Sequence, residues 1–199
     1  TSPGLMEETL LIEKLMSDPV PDRRAIALPP GVTLRMAEAA DLPALLELYS
    51  RIFETYPSPL IHASYLETVF QKDSLFAVCV ENGRIIAAAS AERPDHALSA
   101  EPTDCATLPE ARGRGLMSHL LYKLERELVA REYISAFTMA RARSYGMNAV
   151  FYQLGYTFMG RLVNNCDIYG AYEDMNIWVR KLDRASIPQS LPSAPPQQR

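Results

Sequence analysis

The prolines and glycines of this chain are sorted along its length, and the sorting limits where regular structure can form. Nine of the 15 prolines fall in residues 1–31 and 183–199, which are 48 of the 199 positions. Proline lacks a backbone donor and disfavours helix in the residue before it, so both ends read as extended or irregular chain around a folded core at 32–182. Six of the nine glycines lie between Gly113 and Gly170, whereas residues 32–112 contain Gly83 alone. The backbone positions that need glycine's freedom therefore gather in the second half of that core.

Within 1–31, residues 5–16 carry apolar side chains at helical spacing, and the prolines after them mark a linker. In the core, VTLRMA from Val32 reads as a strand. AADLPALLELYSRIFETY reads as a helix with Leu42, Leu45, Leu46 and Tyr49 on one side. HASYLETVFQK follows as a second helix. LFAVCV and RIIAAASAE flank Glu81-Asn82-Gly83, a turn signal that makes them a hairpin. A further strand spans Ser99 to Leu108, with an irregular start expected at Pro102 because proline cannot donate to a ladder. The helix from Leu116 places Met117, Leu120, Leu121, Leu124 and Leu128 toward a sheet. SAFTMAR is a strand, SYGMNAVFYQLG a helix ended by Gly155, and YTFMGRLV and DMNIWVRKL are the last strands. The order predicts a mixed α/β domain built on one sheet, with residues 183–199, rich in Pro, Ser and Gln, as a disordered tail.

Composition narrows the function classes. The formal charge is −4, from 20 Lys and Arg against 24 Asp and Glu, which argues against nucleic acid as the main partner. No apolar run reaches the 18 or so residues of a membrane span, and no leader pattern is visible. Thr1 rather than Met opens the sequence, so a processed or trimmed chain is expected. Three cysteines (Cys79, Cys105, Cys166) and no close pairing fit a reducing, cytoplasmic setting. His62, His96 and His119 have no metal-ligand spacing, so no metal is expected.

The chemistry concentrates in Pro109-Glu110-Ala111-Arg112-Gly113-Arg114-Gly115-Leu116-Met117-Ser118, which joins a strand to a helix. A helix start offers unpaired N–H groups and the positive end of its dipole to an anion. Gly113 and Gly115 let the backbone approach closely, and Arg112 and Arg114 add attraction. The bland alternative is a basic loop with no ligand. No Gly-Lys-Ser/Thr follows, so this is not a nucleotide-triphosphate loop.

These residues resemble the acyl-CoA-binding motif of the GNAT superfamily of N-acetyltransferases, Gln/Arg-x-x-Gly-x-Gly/Ala. Arg112 and Gly115 match, and Met117 stands in the final slot. Ser144 to Tyr156 resembles the family's second segment: Gly155 and Tyr156 fit, while Ser144, Met147 and Phe151 replace its Asn, Ala and Tyr. The likeness spans about residues 32–182 and implies a GNAT fold, a central sheet of six to seven strands flanked by helices. The phrases YSRIFETYPSP, DCATLPEARGRGLMSHLL, ARARSYGMNAVFYQLGY and GRLVNNCDIYGAYEDMNIW are similar to the beta-lysine N-acetyltransferases. Members of that subfamily acetylate the ε-amine of beta-lysine, share Phe in the Tyr slot and SYGMN in place of the Asn-led segment, and carry a longer region before the core. The resemblance implies acetyl-CoA as co-substrate and a small-molecule amine as acceptor. GNAT domains often pair through sheet edges or C-terminal strands, so a homodimer is compatible with it.

By the same resemblance, Cys105, Ala106, Thr107, Arg112, Gly113, Arg114, Gly115, Met117, Ser118, Ser144, Asn148 and Phe151 contact the cofactor. Tyr56, Tyr145, Asn164 and Asn165 contact the acceptor, as do Arg141, Arg143 and Asp167 as further candidates. An alkyl ammonium titrates near ~10.4, so a base must help to free the amine. Glu101 stands four residues before Cys105, in the slot that histone-acetylating members use for their base; a solvated edge residue is the other reading. Strand alternation puts Glu101, Thr103, Cys105 and Thr107 on one face and Asp104 on the other, as a structural acid. A backbone N–H within Cys105–Thr107 is the expected donor to the thioester oxygen. Cys105 has no nearby His in sequence, which argues against a covalent acyl-enzyme. Tyr152 and Tyr145 are alternative proton donors to the leaving thiolate, or packing residues. Asn164-Asn165 reads equally as a turn. A non-catalytic acyl-CoA-binding module and a protein N-acetyltransferase remain alternatives.

Overall fold

The computed structural model describes residues 3–17, 27–53, 59–72, 74–94, 97–168 and 170–183. An N-terminal helix α1 (Pro3–Ser17) precedes β1 (Val32–Met36), α2 (Leu42–Ile52) and α3 (Ala63–Gln71). Then come β2 (Leu75–Glu81), β3 (Arg84–Glu92), β4 (Ser99–Thr107), α4 (Leu116–Ala130), β5 (Ser135–Arg141), α5 (Tyr145–Gln153), β6 (Thr157–Ile168) and β7 (Ala171–Lys181). The linker at 18–26 and the tail at 184–199 lie outside the described residues.

The seven strands form one sheet in the order β1-β2-β3-β4-β5-β7-β6. Every neighbouring pair is antiparallel except β4 and β5, which are parallel and joined through α4. The hairpin of β2 and β3 turns where expected, with Asn82 and Gly83 both at positive φ (51° and 77°), as a tight two-residue hairpin requires. Ile85 through Ala91 are all buried, so β3 is covered on both faces, by α4 and by α2. In α4 the apolar positions recur at helical spacing, and Leu116, Leu120, Leu121, Leu124 and Leu128 are buried. Its Glu125 is also buried and meets Arg180 of β7 at 2.6 Å, a charge-assisted bond between layers. The last turn of α5 closes as a Schellman motif: the Tyr156 N–H donates to Phe151 O and the Gly155 N–H to Tyr152 O, each at 3.0 Å. Gly155 provides the left-handed residue, at φ 87°.

Three expectations are revised. The irregularity of β4 is not at Pro102, which pairs in register with Ala91, but at Asp104 and Cys105, where two residues face one and Asp104 takes φ 52°. The helix over 39–56 is shorter: a 3-10 turn occupies Ala39–Asp41 and α2 ends at Ile52, while 54–58 lie outside the described residues. Finally, β6 and β7 run longer than their apolar cores, so Asn164 and Asn165 lie inside β6, at a second bulge between Leu162 and Cys166.

Candidate active site

The site follows from one feature of the sheet. β4 and β5 pair only at Ser99 with Ser135 and Ala100 with Ala136. Beyond these the strands diverge, and Thr138 Oγ1 donates to Pro102 O at 2.7 Å at the base of the gap. A cleft of about 260 Å3 opens there. Its walls are Glu101, Thr103, Asp104 and Cys105 of β4, Thr138 to Arg141 of β5, and Ser144, Met147 and Phe151 at and within α5. Glu92 of β3, Phe53, and Cys166, Ile168 and Met175 of the β6–β7 hairpin complete it. The bulge leaves a residue of β4 outside the ladder, which is how a strand interior frees a backbone donor for a ligand.

Glu101 is the group with proton chemistry at neutral pH. Burial first, then the carboxylates of Glu92 and Asp104, push it from 4.5 up to about 7. Asp104 is not on the far face, as simple alternation predicts. The bulge returns it to the cleft wall, where it accepts a 2.5 Å hydrogen bond from the Ser90 hydroxyl. Burial, then the Asp104 charge, holds Cys105 as a thiol; burial, then Glu101 and Glu173, does the same for Cys166. Neither thiol is primed as a nucleophile. Arg141 is committed to Glu173 by two 2.7 Å bonds, with Arg143 Nη1 at 3.6 Å from the same carboxylate.

In the loop between β4 and α4, Gly113 and Gly115 hold φ of 76° and 75°, the left-handed region that favours glycine. Gly115 is the N-cap of α4 and, having no side chain, cannot itself bond the first-turn N–H groups. A Cβ at Gly113 meets nothing within 4 Å, which leaves space over the loop. Arg112 is exposed, with Nε 3.4 Å from Thr107 O. These residues fit an anionic cofactor of the diphosphate type, reaching from the α4 start into the β4–β5 gap.

Several expected contacts are placed elsewhere. Arg114 does not stand free for an anion: Glu81 binds it at 2.6 and 3.1 Å, which cancels most of its attraction. Met117 and Ser118, in the first turn of α4, are both buried, so their side chains are not exposed at the loop. Asn148 is corrected to a structural role. Its amide nitrogen donates to Arg141 O and Ser144 O, and its Oδ1 accepts from Asn176 and the Trp178 indole, which leaves no polar valence for a ligand. Tyr145 is exposed and Tyr152 donates to Met16 O, 3.4 Å away in α1; neither lines the cleft. Asn164 and Asn165 are exposed on β6 and also outside the lining, with the Asn164 N–H donating to Asp174. Tyr56 lies outside the described residues. Sequence reasoning missed Glu92 and Cys166. Both lie in strands whose register depends on a bulge or a long connection, so periodicity carried no signal for them.

Among the described residues no group of three or more His, Cys, Asp or Glu is placed to hold a metal, and no helix is long and apolar enough to cross a membrane. A model of the acetyltransferase (GNAT) family matches residues 42–156. The chain is 46% identical over 155 residues to the beta-lysine N(6)-acetyltransferase of Methanosarcina mazei, covering 78% of this chain and 57% of that protein. It is 43% identical over 153 residues to the N-acetyltransferase YodP of Bacillus subtilis, covering 77% and 56%. The chain thus spans little more than half the length of these curated relatives. A phosphinothricin acetyltransferase from Sinorhizobium meliloti, solved with AcCoA, shares the fold at a TM-score of 0.65 and 24% identity, over 76% of this chain and 89% of that one.

Proposed function

The chain belongs to the acetyltransferase (GNAT) family, and from that membership we propose that it transfers the acetyl group of acetyl-CoA to a primary amine of a small amino-acid-like acceptor, most specifically the ε-amine of beta-lysine. The observation that carries the reading is the β4–β5 gap with Glu101, raised to about 7, on its wall. When bound, acetyl-CoA supplies a thioester carbonyl that a neutral amine attacks directly, forming the C–N bond as the C–S bond breaks. Gly113, Gly115 and the first turn of α4 hold the diphosphate, and Arg112 draws it in. A backbone N–H released at the Asp104–Cys105 bulge donates to the carbonyl oxygen as it gains negative charge.

Glu101 receives the proton that the acceptor's nitrogen gives up. A carboxylate titrating near neutrality is poised for that task, because a substantial share of it is ionised at neutral pH and that share is still basic. The leaving thiolate needs little help, since a thiol titrates near ~8.5. That fits Phe151 on the cleft wall, where the family has Tyr. Support for the acceptor comes from the 46% identity to a named beta-lysine N(6)-acetyltransferase.

The test is release of the CoA thiol with acetyl-CoA and beta-lysine, lysine or polyamines. Turnover is expected with beta-lysine above the others. No release with any amine overturns the small-amine reading, and acetyl-CoA binding without transfer to any acceptor supports a non-catalytic module instead.

A further inference from the structure

Glu92 stands directly opposite Glu101 in the β3–β4 ladder, and both line the cleft. Opposed residues of an antiparallel pair hold their Cβ atoms roughly 4.5–5.5 Å apart, and like charges there destabilise the sheet. Several other acidic side chains among the described residues are paired with arginine instead. Glu81 has Arg114, Glu125 has Arg180, Asp41 has Arg35, and Glu173 has Arg141. The Arg141–Glu173 case is the most informative, because Arg141 itself lines the cleft and its guanidinium is turned bidentate onto Glu173. Every influence on Glu101 pushes toward its protonated form: burial, then Glu92, then Asp104. Glu92 and Asp104 also act on Tyr65 of α3, whose hydroxyl titration is raised by burial first and by these two charges next.

We propose that Glu92 is an acceptor-binding residue: the incoming ammonium lodges between the Glu92 and Glu101 carboxylates, so the cleft selects acceptors that arrive as cations. Resting on the reading of this cleft as the acetyl-transfer site, the inference adds its selectivity. An ammonium placed there relieves the repulsion between the opposed carboxylates and is stabilised by both. Glu101, as the carboxylate, takes one proton from the ammonium to free the attacking lone pair, while Glu92 stays ionised. The second proton that the nitrogen sheds once the C–N bond has formed leaves on the CoA thiolate as the C–S bond breaks. The groups facing Glu101 are Glu92 from β3, Asp104 and Cys105 from β4, Arg141 from β5 and Cys166 from β6. Of these, Glu92 is the carboxylate in direct register, whereas Asp104 already accepts from Ser90.

The experiment is steady-state acetyl transfer by the parent chain, Glu92→Gln and Glu92→Asp across pH 5.5–9, with beta-lysine as acceptor and acetyl-CoA as donor. Glu92→Gln is expected to raise the acceptor KM about tenfold and leave the acetyl-CoA KM unchanged. It should also move the acidic limb of kcat/KM to lower pH, since one repelling charge is gone and Glu101 ionises more readily. Glu92→Asp should recover most of the acceptor affinity. An unchanged acceptor KM together with an unchanged acidic limb overturns the proposal, as does an equal rise in both KM values, which marks general disruption of the cleft. If the parent chain transfers no acetyl group to any amine, the reading of the cleft fails instead, a result distinct from either.

Discussion

Glu125, on a helix packed over the sheet, and Glu101, on a strand within it, are treated in opposite ways. Glu125 is fully buried on α4, and Arg180 of β7 meets it at 2.6 Å. Glu101 lies on the cleft wall with Glu92 across from it and Asp104 beside it. In the first place charge is neutralised, which ties a helix to a strand and fixes their separation. In the second, charge of one sign is gathered at an opening. A carboxylate held by arginine cannot trade protons near pH 7, whereas one crowded by other carboxylates can.

The largest expected effect breaks the paired side of this comparison. Arg180→Leu strands the Glu125 carboxylate in the interior and should lower unfolding stability by about 3–5 kcal/mol in denaturant titrations. Adding Glu125→Leu should restore most of the loss, and a single variant within about 1 kcal/mol of the parent chain would show that the pair carries little of the structure.

On the unpaired side, Glu101→Gln should reduce acetyl transfer at pH 7 by about a hundredfold, the low end of what a general base contributes. The deficit should shrink as pH rises toward the amine's own titration. Stability should move the other way. The folded chain holds the Glu101 proton more tightly than the unfolded chain, from 4.5 up to about 7. Its favourable contribution is therefore full below about pH 4.5 and lost as pH rises through about 7. Above pH 7, Glu101→Gln should melt higher than the parent chain, on the order of 2–4 °C by calorimetry. A variant that loses activity without this gain would place the Glu101 carboxylate in water rather than in the crowded cleft.

The smallest effects concern the loop before α4, where the same contrast recurs between two arginines. Arg112→Ala should weaken acetyl-CoA binding by up to about tenfold and flatten its salt dependence, because that guanidinium is exposed with only a 3.4 Å contact to Thr107 O. Arg114→Ala should change binding by less, since Glu81 already holds it. Calorimetric titration at two salt concentrations separates the two, and equal losses would erase the distinction.

Much of the scaffold was legible from local pattern. The Asn82-Gly83 turn, the apolar spacing of α4 and the glycine after α5 are each set by a few neighbouring residues, and each appears where periodicity and turn chemistry place it. The glycine-marked loop before α4 was legible for the same reason, because glycines at positive φ before a helix act locally. The carboxylate wall of the cleft was not. Six residues separate β3 from β4, too many to dictate register, so the opposition of Glu92 and Glu101 was hidden. Asp104 changed face because a bulge breaks the two-residue period on which alternation depends. Asn148 looked like a ligand contact until Trp178 and Asn176, far along the chain, claimed its oxygen.

The sequence by itself determined the order of elements from Val32 onward and the glycine-marked turn at Gly113 and Gly115 before α4. These follow from backbone restrictions that each residue carries with it. Only the tertiary structure decided where β4 and β5 part, which carboxylates meet at that opening, and which arginines are already spoken for. Those outcomes depend on pairing between distant strands, where a shift of one residue turns every side chain to the other face.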